Sequence, residues 1–591
     1  MASVPTIPST KDQATHTVSS KLLVGGKDVT QNPAGMMSLS IYKEFNKIST
    51  AKIIISDGKV EEGSFDKSGS PIFIPGKEID IQIGYQNETE SIFKGIIVRH
   101  SISASAHRAS VLELECKDPS VKMTLVRRSR YFANMTDTDI FREILGDYSG
   151  KGVSIGDLAT TDFTHPEMVQ YHCTDWDFLV LRAEANGLVV ITDSGKISIV
   201  RLETPSIATH NITWGDNIIS FEAEIDARSH YSEVEATTWD NTNQELTKEE
   251  GSGNSGGLGG LPSVPSILSS VASTVGDITG IDLGVQDDRH IFPEALYGST
   301  KFKLFHGGDM ATQELSAWAK GQKKRGELSH VRGRVQVRGK DFKPNEAIDL
   351  QRVGSRFNGK HLISAVMHQV YEGTWRTDIQ FGVSVKTMAQ CATDIAIPEA
   401  SGLVASIKGL HIGIVTKIGG DAEAGNHRIK VKIPYIASQG GDNEGIWARL
   451  STLFAGNERG SVFRPELEDE VILGFINDDP NDAVILGTLH SNKNAAPIPA
   501  SDNNFQKGLF AKEGMQLVFD DQKKSIELKT QEGYSILISE QGKKLEIKDN
   551  NNNSIKLSSS GIDLNSTSNL SITASGNIKI KGAQVRINDP A

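Results

Sequence analysis

The sequence predicts a mainly β protein: barrel-like domains with small α/β insertions, an OB-type barrel, and a stiff terminal strand ladder. Three observations predict it. Short alternating runs punctuated by Gly, Asp and Pro fill the first part of the chain. Five strand-like runs fall within about eighty residues between His411 and Ser491, as in an OB barrel. Over roughly the last eighty residues, a unit of two large aliphatics flanking one residue recurs.

That unit reads Ile526/Leu528, Ile536/Ile538, Leu545/Ile547, Ile555/Leu557, Ile562/Leu564, Leu570/Ile572, Ile578/Ile580 and Val585/Ile587. Its spacing starts at about nine to ten residues and tightens to about seven or eight, the length of a strand plus a turn. Side chains alternate along a strand, so both aliphatics of a unit share one face. A stripe this thin supports no core of its own. Identical stripes from two more copies would cover it, giving an intertwined triple-stranded β-helix needle over 512–591. The expected needle core and trimer interface is Ile555, Leu557, Ile562, Leu564, Leu570, Ile572, Ile578, Ile580, Val585 and Ile587. Lys579, Lys581 and Arg586 would face outward. Asn588, Asp589 and Pro590 would form a blunt platform. The alternative for the ladder is a meander folded back on the OB barrel.

The remaining elements follow in order. Residues 1–16 read as a flexible N-terminus without an apolar signal core, so the chain is expected to be made and kept in the cytoplasm unless an assembly carries it out. Strands are expected at Thr17–Val29, Ser38–Tyr42, Asn46–Gly58, Glu78–Tyr85, Ser91–Val98 and Ser110–Cys116. Asp137–Gly146 reads as a short helix. Thr174 caps a second helix, with Asp175 and Asp177 in its first turn, Gly187 beyond its end, and Trp176, Leu179, Val180 and Ala183 as its apolar stripe. The Gly-rich stretch within 251–284 reads as a flexible insertion. A helix follows at Ala311–Lys324, then strands at Gly333–Val337, Ala347–Arg352, His361–Val370 and Thr374–Gly382. The OB barrel is expected over 405–495.

Composition narrows the function classes. The 591 residues allow about three to five domains. A net charge of −12 argues against a nucleic-acid binder. Cys116, Cys173 and Cys391 form no CxxC pair and read as reduced core thiols. No run reaches the ~18 apolar residues of a membrane helix. HExxH and P-loop motifs are absent. His172, Cys173 and Asp175 are adjacent before a helix, which favours capping and packing over a Cys/His nucleophile. The acidic residues Glu466, Glu468, Asp469, Glu470, Asp478, Asp479 and Asp482 lack EF-hand spacing and read as a solvated face. Lys323-Lys324-Arg325 reads as a solvated helix-end cluster that could also meet an acidic partner. No metal, cofactor or catalytic residue is expected.

The segment Gln170-Tyr171-His172-Cys173-Thr174-Asp175-Trp176-Asp177-Phe178-Leu179, with Arg182–Gly187, resembles the hub segment of VgrG-type spike proteins. So do Asn46–Gly58 and Phe93-Lys94-Gly95-Ile96. Phe357–Ile363, His368 and Trp375-Arg376-Thr377 are similar to that family's second hub barrel. Phe463–Val471, Asp478-Asp479-Pro480 and Val484–Gly487 are similar to its OB module. The resemblance implies a tail-hub region over 17–395 with two barrel domains and an α/β part. It implies a homotrimeric hub and needle of a contractile injection machine: type VI secretion, an extracellular particle or a phage tail. Its partners would be the inner tube protein, baseplate proteins, a PAAR-like tip protein on the platform, effector cargo and the target membrane. Only about twenty residues, Ser491–Phe510, separate barrel from needle, too few for the lysozyme domain some phage relatives carry. No enzyme activity is expected. The competing class is a carbohydrate-binding or carbohydrate-active β-helix protein. The ladder offers that class only Phe519 and Tyr534 as aromatic platforms.

Overall fold

The computed structural model describes residues 17–587, apart from 30–34, 60, 106, 227, 229–230, 232, 241–242, 252–300, 308–309, 397, 422–426 and 437–444. The N-terminus 1–16, the Gly-rich insertion beyond Gly251, and Asn588, Asp589 and Pro590 lie outside the described residues. The chain divides into two units, Met1–Ile397 and Pro398–Ala591.

The first unit opens with seven strands: β1 (Val18–Val24), β2 (Lys27–Asp28), β3 (Met36–Glu44), β4 (Thr50–Ser56), β5 (Glu78–Tyr85), β6 (Glu88–Ser105) and β7 (Arg108–Lys117). They lie side by side as β3-β4-β7-β6-β5-β1-β2. Strict alternation sends Leu39, Ile41, Ile53, Ile55, Ile79, Ile81, Leu112 and Leu114 into one core. A second half packs Val335, Val337, Ile363, Val366, Ile379 and Phe381 around another core. β3 pairs antiparallel with the strand Gly359–Tyr371, from Glu44↔Ala365 to Ser38↔Tyr371. The two halves therefore share one thirteen-stranded sheet while keeping separate cores.

Between them sits the α/β part. Helix α1 (Asp137–Gly146) starts in a capping box, with Thr136 Oγ1 accepting from the Asp139 amide at 3.1 Å. Helix α2 (Asp175–Ala185) is capped by Thr174, whose Oγ1 accepts from the Asp177 amide at 3.0 Å. Gly187 follows it at φ +66°, and a Cβ there would lie 2.7 Å from the Gly321 Cα. One glycine thus ends α2 and admits the backbone of helix α3 (Thr312–Ser329). α3 runs a full turn past the expected end. Its Leu315 and Ala319 pack on Val234 and Ala236 of a small three-stranded sheet.

These helices are joined by a buried ionic network. Arg182 on α2 donates to both carboxylate oxygens of Asp137 on α1 at 2.8 Å and to Glu314 on α3 at 2.7 Å. Asn186 donates to Asp137 at 2.9 Å, and His165 Nε2 lies 2.9 Å from it. Burial alone would raise the Asp137 pKa, but the Arg182 hydrogen bonds and charge, with His165 and Asn186, hold it below the usual carboxylate range. Asp175, fully buried, is satisfied by Arg130 (2.6 Å), Gln170 (2.8 Å) and Tyr148 (2.8 Å).

Two sequence expectations change here. Arg325 is not a solvated member of a basic cluster. It is buried, donating to Glu184 at 2.7 Å and to the Ser384 carbonyl at 3.2 Å, because α3 turns that side toward α2. Cys116 and Cys173 are buried, but Cys391 is exposed on the short helix Met388–Cys391 and is not a core thiol.

The second unit begins with a closed five-stranded barrel: His411–Lys417, Arg428–Lys432, Ile446–Leu450, Ala483–Thr488 and Glu470–Phe475 in that circular order. Val415, Ile429, Val431, Ala448, Val471, Leu473 and Ile485 fill it. All five strands fall between His411 and Ser491, the span in which five were expected. A seven-stranded antiparallel ladder follows, from Gln506–Phe510 to Gly561–Asn565, each strand pairing with the next.

Candidate functional site

The ladder aligns its aliphatics by register. Ile526 faces Ile538 and Leu528 faces Ile536. Ile536 faces Ile547, and Ile538 faces Leu545. The pattern continues through Leu545↔Leu557, Ile547↔Ile555, Ile555↔Leu564 and Leu557↔Ile562. Directly opposed side chains lie on the same sheet face, so the units merge into one apolar seam two residues wide. At ~4.8 Å per step between strands, the five strands of the seam climb roughly 20 Å.

The opposite face is different. It carries Glu527, Leu537, Glu546, Lys556 and Asp563 in cross-strand succession. Lys544 donates to Glu546 at 2.7 Å and holds its carboxyl below the usual range. Opposite charges at Glu546↔Lys556 and Lys556↔Asp563 suit a solvated face.

In the single chain the apolar face is the bare one, with Ile555 at 42%, Leu557 at 41%, Leu564 at 54% and Ile562 at 70% exposure. A groove of about 560 Å³ runs along it, lined by Leu528, Ile536, Ile547, Ile555, Leu564 and Leu570. A contiguous apolar surface of this extent marks an interaction site. Covering the exposed remainder of one Ile or Leu contributes about 1 kcal/mol.

The expected seam residues divide at Asn565. Ile555, Leu557, Ile562 and Leu564 sit on paired strands. Leu570, Ile572, Ile578, Ile580, Val585 and Ile587 lie beyond the last strand and are 51% to 82% exposed. Lys579, Lys581 and Arg586 are exposed as well. The platform residues fall outside the description.

The other candidates take structural roles. His172 is exposed on an irregular stretch of its strand, while Cys173 is buried. Burial pushes the Cys173 thiol pKa up, the reverse of nucleophile activation. The Glu466 amide donates to Asp469 at 2.8 Å in an exposed turn. No group of three or more His, Cys, Asp or Glu side chains is arranged to hold a metal among the described residues. Glu184, which ties α2 to Arg325, was not singled out from sequence; its partner lies on a distant segment.

Comparison with known proteins bears on this arrangement. A family profile described as "Alg8 N-terminal domain" matches residues 14–274 and 293–372, more than half of the chain. A second, "Type VI secretion system/phage-baseplate injector OB domain", matches 411–490. A third, "Phage baseplate V C-terminal trimerisation domain", matches 513–591, the seam included. The type VI secretion system spike protein VgrG3 of Vibrio cholerae is 31% identical over 107 residues, 17% of this chain and 10% of that protein. Spike protein VgrG1a of Pseudomonas aeruginosa is 30% identical over 83 residues, 14% of this chain and 13% of that protein. The matched segments thus span about a tenth of these relatives' length. Among solved structures, the prophage MuSo2 43 kDa tail protein of Shewanella oneidensis gives a TM-score of 0.43 at 14% identity, covering 62% of this chain and 99% of that one. The Francisella PdpA–VgrG complex gives 0.39 at 12% identity, covering 94% of this chain and 80% of that one. With its N-terminal region, closed OB barrel and seam-bearing ladder matched in succession, the chain belongs to the Alg8 N-terminal domain family, and its OB barrel and ladder are similar to those of VgrG-like spike proteins.

Proposed function

We propose that three copies of this chain form the hub and needle at the tip of a contractile injection machine. Similarity of the OB barrel and the ladder to baseplate and spike domains supports a structural role. The observation that carries the trimer is the seam: opposed aliphatics, half bare in one chain, within a segment matching a trimerisation domain. Three seams turned inward bury one another and leave the charged faces outward, which yields a rigid soluble shaft. The thirteen-stranded sheet of the first unit offers a continuous scaffold for seating on the inner tube and baseplate. The end of the ladder would receive a tip protein or effectors. The assembly would form in the cytoplasm and act at a target membrane.

Labelling tests the placement. An antibody against residues 512–591 is expected to decorate one end of extended particles in electron micrographs. Label along the sheath, or none on intact particles that contain the chain, contradicts it.

A further inference from the structure

The two halves of the first unit share one sheet, but a single strand pair joins them: β3 with the strand Gly359–Tyr371. A lone strand pair is a soft joint. The rotation between neighbouring strands ranges over roughly 25° from one sheet to another. The turn Phe45–Ser49, which links β3 to β4, makes contacts outside that pair to both other parts of the unit.

The Phe45 amide donates to the Ser364 carbonyl of the second half at 3.1 Å. The Asn46 amide donates to the Val190 carbonyl of the α/β part at 2.8 Å, and the Val190 amide returns to Asn46 Oδ1 at 2.8 Å. The Ser49 amide donates to Thr192 Oγ1 at 3.0 Å, and Ser49 Oγ donates to the Thr192 carbonyl at 2.9 Å. The turn thus bonds alternate residues of Leu188–Asp193, an edge strand of its own sheet, much as a neighbouring strand would. Phe45 is buried with Val189 and Leu202 of the α/β part and with Leu362 and Val383 of the second half.

Charges continue the link. Lys43, 2% exposed, donates to Asp193 at 3.0 Å, and Lys343 of the second half reaches the other oxygen of Asp193 at 2.9 Å. Asn46 Nδ2 donates to Glu184 on α2 at 2.8 Å. The same carboxylate accepts from Arg325 on α3 at 2.7 Å and from the Met388 amide at 2.8 Å. Asn46 holds this place at φ +59°, a left-handed backbone that asparagine tolerates better than most residues.

We propose that the turn Phe45–Ser49 is a wedge that fixes the angle between the two halves, with Asn46 and Ser49 as its positioning residues. The strand pair and the wedge hold the halves at separate points. Rotation about the pair then breaks buried hydrogen bonds, which are costly to leave unmade. For the spike role proposed above, a fixed angle lets both halves bear thrust as one body. The wedge itself acts within one chain and does not depend on that role.

Pulsed electron paramagnetic resonance on the full-length protein tests the wedge. Spin labels are placed through Glu90→Cys in the first half and Arg356→Cys in the second, both exposed positions, with the exposed Cys391 changed to Ser. Labelled chains are diluted with unlabelled ones. With the native turn, a narrow distance distribution is expected. Asn46→Gly/Ser49→Ala keeps the backbone path, since glycine adopts the same φ. It should widen the distribution about twofold or more. Arg182→Met lowers hub stability without touching the turn and should leave the distribution narrow. If the double variant does not fold, Ser49→Ala alone is measured, with widening still expected. A folded turn variant as narrow as the native protein overturns the wedge, because the strand pair then sets the angle alone. A distribution already broad with the native turn overturns it too, as does equal widening in Arg182→Met, which would mark a general loss of stability.

Discussion

Ile555→Asp is expected to abolish trimer formation while leaving each chain folded. Ile555 stands between Ile547 and Leu564 across the strands, at the middle of the seam. In one chain it is 42% exposed, so a carboxylate there costs the isolated protomer little. In the trimer the substitution places three like charges in one apolar stripe. Burying an unpaired charge costs several kcal/mol, and about 4 kcal/mol already weakens association about a thousandfold. Size-exclusion chromatography with light scattering should show loss of the trimer, with thermal unfolding of the hub unchanged. Lys556→Ala, on the charged face, is expected to leave assembly intact. A fully trimeric Ile555→Asp protein contradicts the seam model.

Arg182→Met is expected to produce the complementary result: assembly through the seam retained, hub destabilised. It leaves Asp137 and Glu314, both largely buried, without their shared cation. Breaking a buried pair by removing one partner costs about 3–5 kcal/mol. The loss should appear as a lower unfolding temperature, with part recovered in Arg182→Met/Asp137→Asn. The same network sets the acid response. The Asp137 pKa is lower folded than unfolded, so its contribution is complete above the unfolded carboxylate range of about pH 4 and is lost as pH falls through the folded value. Hub stability should decline below about pH 4 in the wild type, and Arg182→Met should flatten that decline.

What the sequence revealed follows what is local. α1, α2 and the five barrel strands were legible because caps, turns and alternation lie within each segment: Thr174 with Asp177, or Gly187 after Ala185. The seam was legible because its repeat is also local. Long-range partners were hidden. Nothing near Arg325 announces Glu184, and nothing near β3 announces the strand Gly359–Tyr371 that fuses the two halves into one sheet. Cys391 misled because buried and exposed cysteines look alike without their surroundings. The seam itself divides along this line. Its residues were identifiable from spacing, but the switch at Asn565 depends on which strands find partners in the same chain. The two-aliphatic unit continues on both sides of that switch, with its spacing shortened toward the end.

The most direct test of the account is the mass of the purified full-length protein in solution. Light scattering across a wide concentration range is expected to give three times the 64.0 kDa chain mass. A well-folded species of one chain mass at every concentration would contradict it, since the bare face of the ladder would then need no copy to cover it.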